Sequence, residues 1–119
     1  MYRIIFYTSD RGDSPIDDFL DALDLRSRAK VAAHLSLLEE WGPNLKRPHA
    51  DVVRRKIWEL RIRHGSNQYR ILYSFQLREE IVLLHGFQKK TQQLKERDIE
   101  LAERRMHDWM QRHPAGGTP

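Results

Sequence analysis

The sequence contains no cysteine, only six glycines and five prolines, and no long hydrophobic run. The absence of cysteine excludes disulfide bonds and thiolate metal sites. No apolar segment approaches the roughly 20 residues needed to span a bilayer, and the N-terminal stretch becomes polar too soon for a signal peptide. These absences predict a cytoplasmic protein that does not contact a membrane.

The histidines do not have the spacing of a metal site. The six of them occupy positions 34, 49, 64, 85, 107 and 113, and no two lie four residues apart on a predicted helix. The sequence also has no glycine-rich phosphate loop and no nucleophile elbow. We therefore predict a protein that uses neither a metal ion nor a small-molecule cofactor.

Length and composition indicate one globular domain. The chain has 119 residues, of which 39% are hydrophobic and 32% are charged, which is typical of a small core with a charged exterior. We place this single domain at residues 1–113 and a disordered tail at 114–119.

Positive charge is concentrated in the middle of the chain. Residues 1–45 carry five Lys/Arg against eight Asp/Glu, a balance of −3, although the whole chain has a net charge of +4. Residues 46–70 carry eight Lys/Arg against two Asp/Glu, a balance of +6. Such an excess is expected of a phosphate-binding surface, although charged runs are more often simply solvated faces.

Hydrophobic periodicity and capping residues predict four strands and three helices. Ser14 and Pro15 start the first helix, and Asp24 caps the second. The predicted elements are, in order, a strand buried on both faces at Tyr2–Thr8, helices at Pro15–Leu23 and Leu25–Trp41, a loop at 44–52, strands at 54–63, 68–76 and 80–87, and a helix at Leu94–Gln111.

The three later strands are predicted to form an antiparallel meander in which two arginines face each other. Apolar and charged residues alternate over 58–63, and Gly65-Ser66 supplies a two-residue hairpin turn. This turn pairs residues whose numbers sum to 131, so that Arg61 faces Arg70. Like charges directly opposite each other destabilise a sheet. We therefore interpret the pair as a site that binds an anion.

The last strand is predicted to continue the antiparallel pairing. Pairing Tyr73 with Leu83 sets Gly86 beside Arg70. Glycine has no side chain, so this register leaves room for a ligand next to the arginine.

The alternation assigns the two faces of the sheet to different environments, in an α+β fold with a mostly antiparallel sheet. Arg61, Arg63 and Arg70 project from one face, and Lys89 and Lys90 follow the last strand. The other face is expected to pack on the helices through Trp58, Leu60, Ile62, Ile71, Tyr73 and Phe75.

The last helix carries an apolar stripe formed by Ile99, Ala102, Met106 and Trp109. Such a stripe ordinarily belongs to the core. The alternative is a face shared with a partner protein, for which Trp109 and the neighbouring methionines are suited.

Three segments resemble the RelE/ParE toxin superfamily. ELR at 59–61 and YRILY at 69–73 are followed by HGFQKKT at 85–91, and the resemblance extends from Arg3 to about Trp109. Within the superfamily the chain is most similar to the phage-derived HigB-like branch. The resemblance implies a toxin of a type II toxin–antitoxin system, which cleaves mRNA on the ribosome and is silenced by a cognate antitoxin protein.

The resemblance implies that Arg61, Arg70 and either Lys89 or Lys90 are catalytic residues, and of the two lysines we assign Lys89. Fixed cations suit RNA cleavage because the ribose 2′-OH attacks the adjacent phosphate and negative charge develops on its oxygens. His85 is a candidate general base, although a histidine inside a strand is more often a hydrogen-bonded core residue. Neighbouring basic residues are expected to bind RNA: Lys56, Arg63, Lys90, Arg54 and Arg55.

Two other functions remain open. The ParE side of the superfamily inhibits DNA gyrase without cleaving RNA, and a degenerate member would bind nucleic acid without catalysis. The cationic face favours the RNA-cleaving toxin. The antitoxin is expected either to lay acidic residues across that face or to dock on the helical layer near Trp109.

Overall fold

A computed structural model describes residues 1–114. The elements are β1 (Arg3–Phe6), α1 (Pro15–Asp21), α2 (Leu25–Trp41), β2 (Ala50–Arg54), β3 (Ile57–His64), β4 (Asn67–Gln76), β5 (Glu80–Gln88) and α3 (Glu96–Arg112), with a short 3₁₀ turn at Gly42–Asn44. The three predicted helices are confirmed to within two residues at each end. The predicted tail at 114–119 lies outside the described residues except for its first residue.

The five strands form one mixed sheet in the order β1-β5-β4-β3-β2. β1 is parallel to β5, and the other neighbouring strands are antiparallel. The α+β class is therefore confirmed. The prediction that the first strand is buried on both faces is wrong, because β1 lies at the edge of the sheet and contains no fully buried residue. Within residues 1–114, none of the helices is long and apolar enough to cross a membrane.

The sequence did not predict one of the strands. The end of the expected loop at 44–52 belongs to β2, and the expected strand at 54–63 is interrupted by a tight turn. Arg55 makes this turn with a left-handed backbone, at a φ of 48°, which costs a residue with a side chain about 1–2 kcal/mol. No glycine, asparagine or proline marks the turn, so its position could not be read from turn-forming residues.

The hairpin of β3 and β4 has the predicted register. Trp58 lies opposite Tyr73, and Arg61 lies opposite Arg70. The inner face also packs as expected. The main core combines helical residues with alternate residues of the sheet, among them Ile16, Val31, Leu38, Leu60, Ile62, Ile71 and Tyr73, with Trp58 and Phe75 half-buried against it.

The predicted pairing of β4 with β5 is confirmed from Tyr73 and Leu83 to Gln76 and Glu80, but it fails on the Arg70 side of Tyr73. A β-bulge next to Tyr73 shifts the register by one residue, so that Phe87, and not Gly86, lies opposite Arg70. Gly86 instead faces α1, where a Cβ placed on it would lie 2.5 Å from a ring carbon of Phe19. The prediction that this glycine leaves room for a ligand beside Arg70 is therefore wrong.

α3 packs on the opposite face of the sheet from α1 and α2. Its apolar stripe forms a second core with β4 and β5: Ala102 is fully buried, and Ile99, Met106 and Trp109 are each less than 9% exposed. The interpretation of the stripe as core is confirmed, and a partner protein cannot dock on it. α3 leaves the hairpin end of this face uncovered, where Arg61 keeps 33% of its side chain exposed.

Tyr73 is fully buried, and its hydroxyl is the one buried side-chain polar atom that lacks a hydrogen-bond partner within residues 1–114. Burial raises the pKa of Tyr73, so its hydroxyl stays neutral. The substitution Tyr73→Phe removes this unsatisfied polar group. We therefore expect it to raise the free energy of unfolding, measured by urea denaturation, by about 1 kcal/mol.

A matched control for this substitution is Tyr69→Phe. The hydroxyl of Tyr69 lies 3.3 Å from Ser27 Oγ, so its removal leaves a buried partner unpaired. We expect this control to lower the free energy of unfolding by about 1 kcal/mol. A Tyr73→Phe protein that loses as much stability as Tyr69→Phe would show that the Tyr73 hydroxyl is satisfied in solution.

Candidate functional site

Two arginine side chains meet at the uncovered end of the sheet, and a glutamate binds both. Glu59 Oε1 accepts a hydrogen bond from Arg70 Nε at 3.0 Å, and its Oε2 accepts from Arg61 Nη2 at 3.0 Å and Nε at 3.2 Å. The side chains of Glu59 and Arg70 are each only 9% exposed. The opposed arginines, predicted to bind an external anion, therefore bind a carboxylate of the protein itself.

The strand register places Glu59 between the arginines. It precedes Arg61 by two residues on β3 and lies diagonally across from Arg70 on β4, so all three side chains share one face. The same alternation and the same register, both available from the sequence, place Glu59 on this face. The prediction of an anion site rests on the charges of the arginines alone, so it does not include Glu59.

A second carboxylate, Asp51 on β2, extends the row. Its Oδ2 accepts hydrogen bonds from Arg47 Nε at 2.8 Å and from Arg61 Nη2 at 3.4 Å. The hydrogen bond from Arg47 lowers the pKa of Asp51. Asp51 and Glu59 are paired across β2 and β3, and Arg61 contacts both. We call this row of alternating charges (Arg47, Asp51, Arg61, Glu59 and Arg70) the arginine cluster.

Burial and charge act in opposite directions on Arg70. Burial lowers the pKa of Arg70, and the neighbouring Glu59 opposes that shift. A guanidinium keeps its charge at neutral pH in proteins. Arg70 is therefore a buried permanent cation whose orientation is fixed by Glu59, whereas the more exposed Arg61 can reach a ligand.

Lys89 lies beside the arginine cluster, just beyond β5. Its backbone N–H donates to the carbonyl of Gln68 at 2.7 Å, and its Nζ donates to the carbonyl of Gln92 at 2.7 Å. Burial lowers the pKa of Lys89, and the positive charges of Arg70 and Arg61 lower it further. The structure thus brings the three residues named from the resemblance close together, and their catalytic roles remain predictions.

An open groove of about 770 Å³ lies next to Lys89. It is formed by the β3–β4 hairpin and by the segment that follows β5. Its lining includes Gln68, Gln88, Lys89, Lys90, Thr91 and Gln92. Lys90, predicted to bind RNA, therefore lies in this groove. Arg63, predicted for the same role, is exposed and pairs with Gln68 across the hairpin.

His85 lies on the same face but is attached to α3. Its Nε2–H donates to Asp98 Oδ1 at 2.8 Å, and its ring stacks on Phe87 with 4.8 Å between the ring centres. Burial lowers the pKa of His85 more than Asp98 raises it, so the ring is neutral at pH 7. This environment is that of a hydrogen-bonded core histidine. It is also compatible with a general base, because Asp98 contacts Nε2 and not Nδ1.

The other predicted RNA-binding residues lie at the opposite end of β3. Arg54 binds both carboxylate oxygens of Glu96 at 2.7 Å and approaches Glu103 at 3.5 Å, and the hydrogen bond to Glu96 raises the pKa of Arg54. Arg55 and Lys56 are exposed in the turn before β3. The structure therefore does not bring these three together with the arginine cluster, and Arg54 attaches α3 to the sheet.

The +6 balance of residues 46–70 does not form one free cationic surface. Half of its eight basic side chains bind carboxylates: Arg47, Arg54, Arg61 and Arg70. Within residues 1–114, no group of three or more His, Asp or Glu side chains could hold a metal ion. The chemistry available at the site is thus that of fixed guanidinium groups, a lysine, a neutral histidine and carboxylates.

The five-stranded mixed sheet with its three helices is consistent with a RelE-like fold. Residues 18–107, which are 90 of the 119, match the phage-derived protein Gp49-like family (DUF891), and the chain belongs to that family. The family is a RelE/ParE-like toxin family of toxin–antitoxin systems, and membership implies an antitoxin partner. Among curated proteins, none matches this chain.

Removing Glu59 tests whether it holds the arginine cluster together. Glu59→Ala leaves Arg70 buried without its carboxylate and opposite a like charge. We expect the free energy of unfolding to fall by about 3 kcal/mol. Glu80→Ala is the matched control, because Glu80 also binds an arginine on a neighbouring strand but its partner, Arg3, is 64% exposed; we expect a loss below about 1 kcal/mol.

Sulfate gives this test a second measurement. An anion can occupy the space between the arginines once the carboxylate is gone, so sulfate should stabilise Glu59→Ala more than it stabilises the wild-type protein or Glu80→Ala. Thermal unfolding with and without sulfate measures the difference. Equal losses in the two variants, with equal responses to sulfate, would contradict the role assigned to Glu59.

Proposed function

We propose that this chain is a ribosome-dependent mRNA endonuclease of the HigB-like branch, acting in the cytoplasm as the toxin of its pair. The observation that carries the proposal is the arrangement of Arg61, Arg70 and Lys89 around one uncovered end of the sheet. Membership of a toxin family supports the biological role, and the cationic site supports phosphodiester chemistry.

Arg61 is the residue best placed to bind the scissile phosphate. Its side chain is 33% exposed, whereas those of Glu59 and Arg70 are each 9% exposed. Its Nε and Nη2 donate to Glu59 and Asp51, which leaves the two N–H groups of Nη1 for the phosphate oxygens. Glu59 and Asp51 fix its position before RNA arrives, so little reorganisation is required as negative charge develops.

The reaction requires one proton to leave the 2′-OH and one to reach the leaving oxygen. The 2′-oxygen bonds to phosphorus and the bond to the next 5′-oxygen breaks, which yields a 2′,3′-cyclic phosphate and a 5′-hydroxyl. Lys89 is assigned as the acid, since its ammonium is a proton donor and burial lowers its pKa, which eases the transfer. His85 is the candidate base, because it is neutral and Asp98 leaves its Nδ1 lone pair available.

The antitoxin is proposed to cover the arginine cluster and the groove. The alternative docking surface at Trp109 is buried in the second core, so the exposed cations around Arg61, Arg63 and Lys90 are the better surface for an acidic partner. Covering them would block RNA at the same time.

Mapping mRNA 5′ ends after induced expression tests the proposal. We expect wild-type protein to create new 5′ ends within coding regions, and Arg61→Ala to reduce cleavage roughly 100- to 1000-fold, as for the loss of one fixed transition-state contact. Arg70→Ala should act similarly, provided that its denaturation curve shows a folded protein. Arg3→Ala is the matched control, because Arg3 is an exposed strand arginine on β1, outside the arginine cluster.

Two outcomes would refute the proposal. Full cleavage by both cluster variants would remove these arginines from the mechanism. Growth arrest with intact mRNA and trapped gyrase would instead support the ParE-like function.

A further inference from the structure

The groove beside Lys89 has the size and the chemistry of a nucleotide site, in addition to the phosphate contacts at Arg61. Its volume of about 770 Å³ falls within the range of roughly 300–1,000 Å³ that small-molecule sites occupy. Its lining is polar, with three glutamine amides and two lysines and no carboxylate. Single-stranded RNA is read through hydrogen bonds to the edges of exposed bases, and amides and lysines are the groups that form such bonds.

Gln68 connects this groove to the arginine cluster. Arg70 Nη2 donates to Gln68 Oε1 at 3.2 Å. A guanidinium only donates hydrogen bonds, so the amide oxygen of Gln68 must face Arg70. The remaining polar atom of the side chain is then its NH₂ group, which can only donate.

The donors of the groove select the kind of base edge that fits. Lys89 and Lys90 offer ammonium groups, and Gln68 offers an amide N–H. Guanine presents two neighbouring acceptors, O6 and N7, whereas adenine places the N6 donor next to N7 and cytosine places the N4 donor at the equivalent edge. Gln68, Lys89 and Lys90 offer only donors, so their part of the groove favours guanine over adenine and cytosine, and over uracil with its single O4 acceptor.

We propose that this groove binds a guanine base next to the phosphate held at Arg61, and that Gln68 reads it. The proposal rests on the proposed function and specifies the substrate of that site. Gln68 contacts Arg70 with one end of its amide and lines the groove with the other. A base that cannot accept from Gln68 would leave this donor unpaired, so base choice and phosphate binding are coupled through a single side chain.

Ribosomes programmed with short mRNAs provide the test. The mRNAs differ in one base of the exposed codon and carry a 2′-deoxy sugar at the scissile position, which removes the nucleophile and prevents cleavage. We expect wild-type protein to bind the guanine-containing complexes more tightly than those with adenine, cytosine or uracil, on the order of tenfold at one codon position. Gln68→Met should lose this preference while keeping most of its affinity for RNA.

Gln76→Met is the matched control. Gln76 is on the same strand and the same face as Gln68, but its amide donates to Ser74 at 3.0 Å, at the end of β4 away from the groove. This control should keep the wild-type preference. Gln68→Asn retains an amide but shortens it by one methylene, so it should also lose the preference, and it replaces Gln68→Met if the latter does not fold.

The inference and the proposed function can fail separately. Equal affinity for all four bases, or a preference that survives in the folded Gln68 variants, would overturn the assignment of the groove. Cleavage of the matching all-ribose mRNAs is measured in parallel. Guanine-selective binding without cleavage would refute the nuclease function and support the groove, whereas cleavage with no base preference would support the nuclease and overturn the inference.

Discussion

The carboxylate of Glu59, held between Arg61 and Arg70, is the interaction on which the site depends. The hairpin register places the two guanidinium groups opposite each other, and this like-charge pair, with Arg70 buried, would destabilise the sheet without a counter-ion. Glu59 resolves this conflict with hydrogen bonds of 3.0 Å to each arginine. The same contacts orient the arginines, so one residue meets both the requirement of the fold and that of the proposed phosphate binding.

The placement of α3 determines which cations remain available to a ligand. The helix covers the middle of the sheet face with its apolar stripe and binds Arg54 through Glu96. One end of the basic stretch is therefore used in holding α3, and the other end stays exposed beside the groove. The basic residues of 46–70 thus divide into those that form structural ion pairs and a smaller set that stays available to a ligand. Which group a residue joins depends on the side chains that it contacts.

The sequence predicted the helices, because capping residues and hydrophobic periodicity mark them locally. It also predicted the hairpin register and the meeting of Arg61 with Arg70, because alternation and a two-residue turn determine both. It did not predict β2, since the turn at Arg55 uses a left-handed residue that no composition rule marks. It also could not predict that a bulge would place Phe87 opposite Arg70, because a bulge depends on packing across two strands. The position of Glu59 between the arginines could have been predicted, because the same register places its negative charge on the same face.

The most direct test of the account is the structure of the protein on a ribosome programmed with an mRNA that carries a 2′-deoxy sugar at the scissile position, determined by electron cryo-microscopy. We expect a phosphate within hydrogen-bond distance of the Arg61 guanidinium, with Glu59 still bound to Arg70 and a base in the groove beside Gln68. It would be contradicted by a complex in which the mRNA contacts another surface and the arginine cluster touches no phosphate.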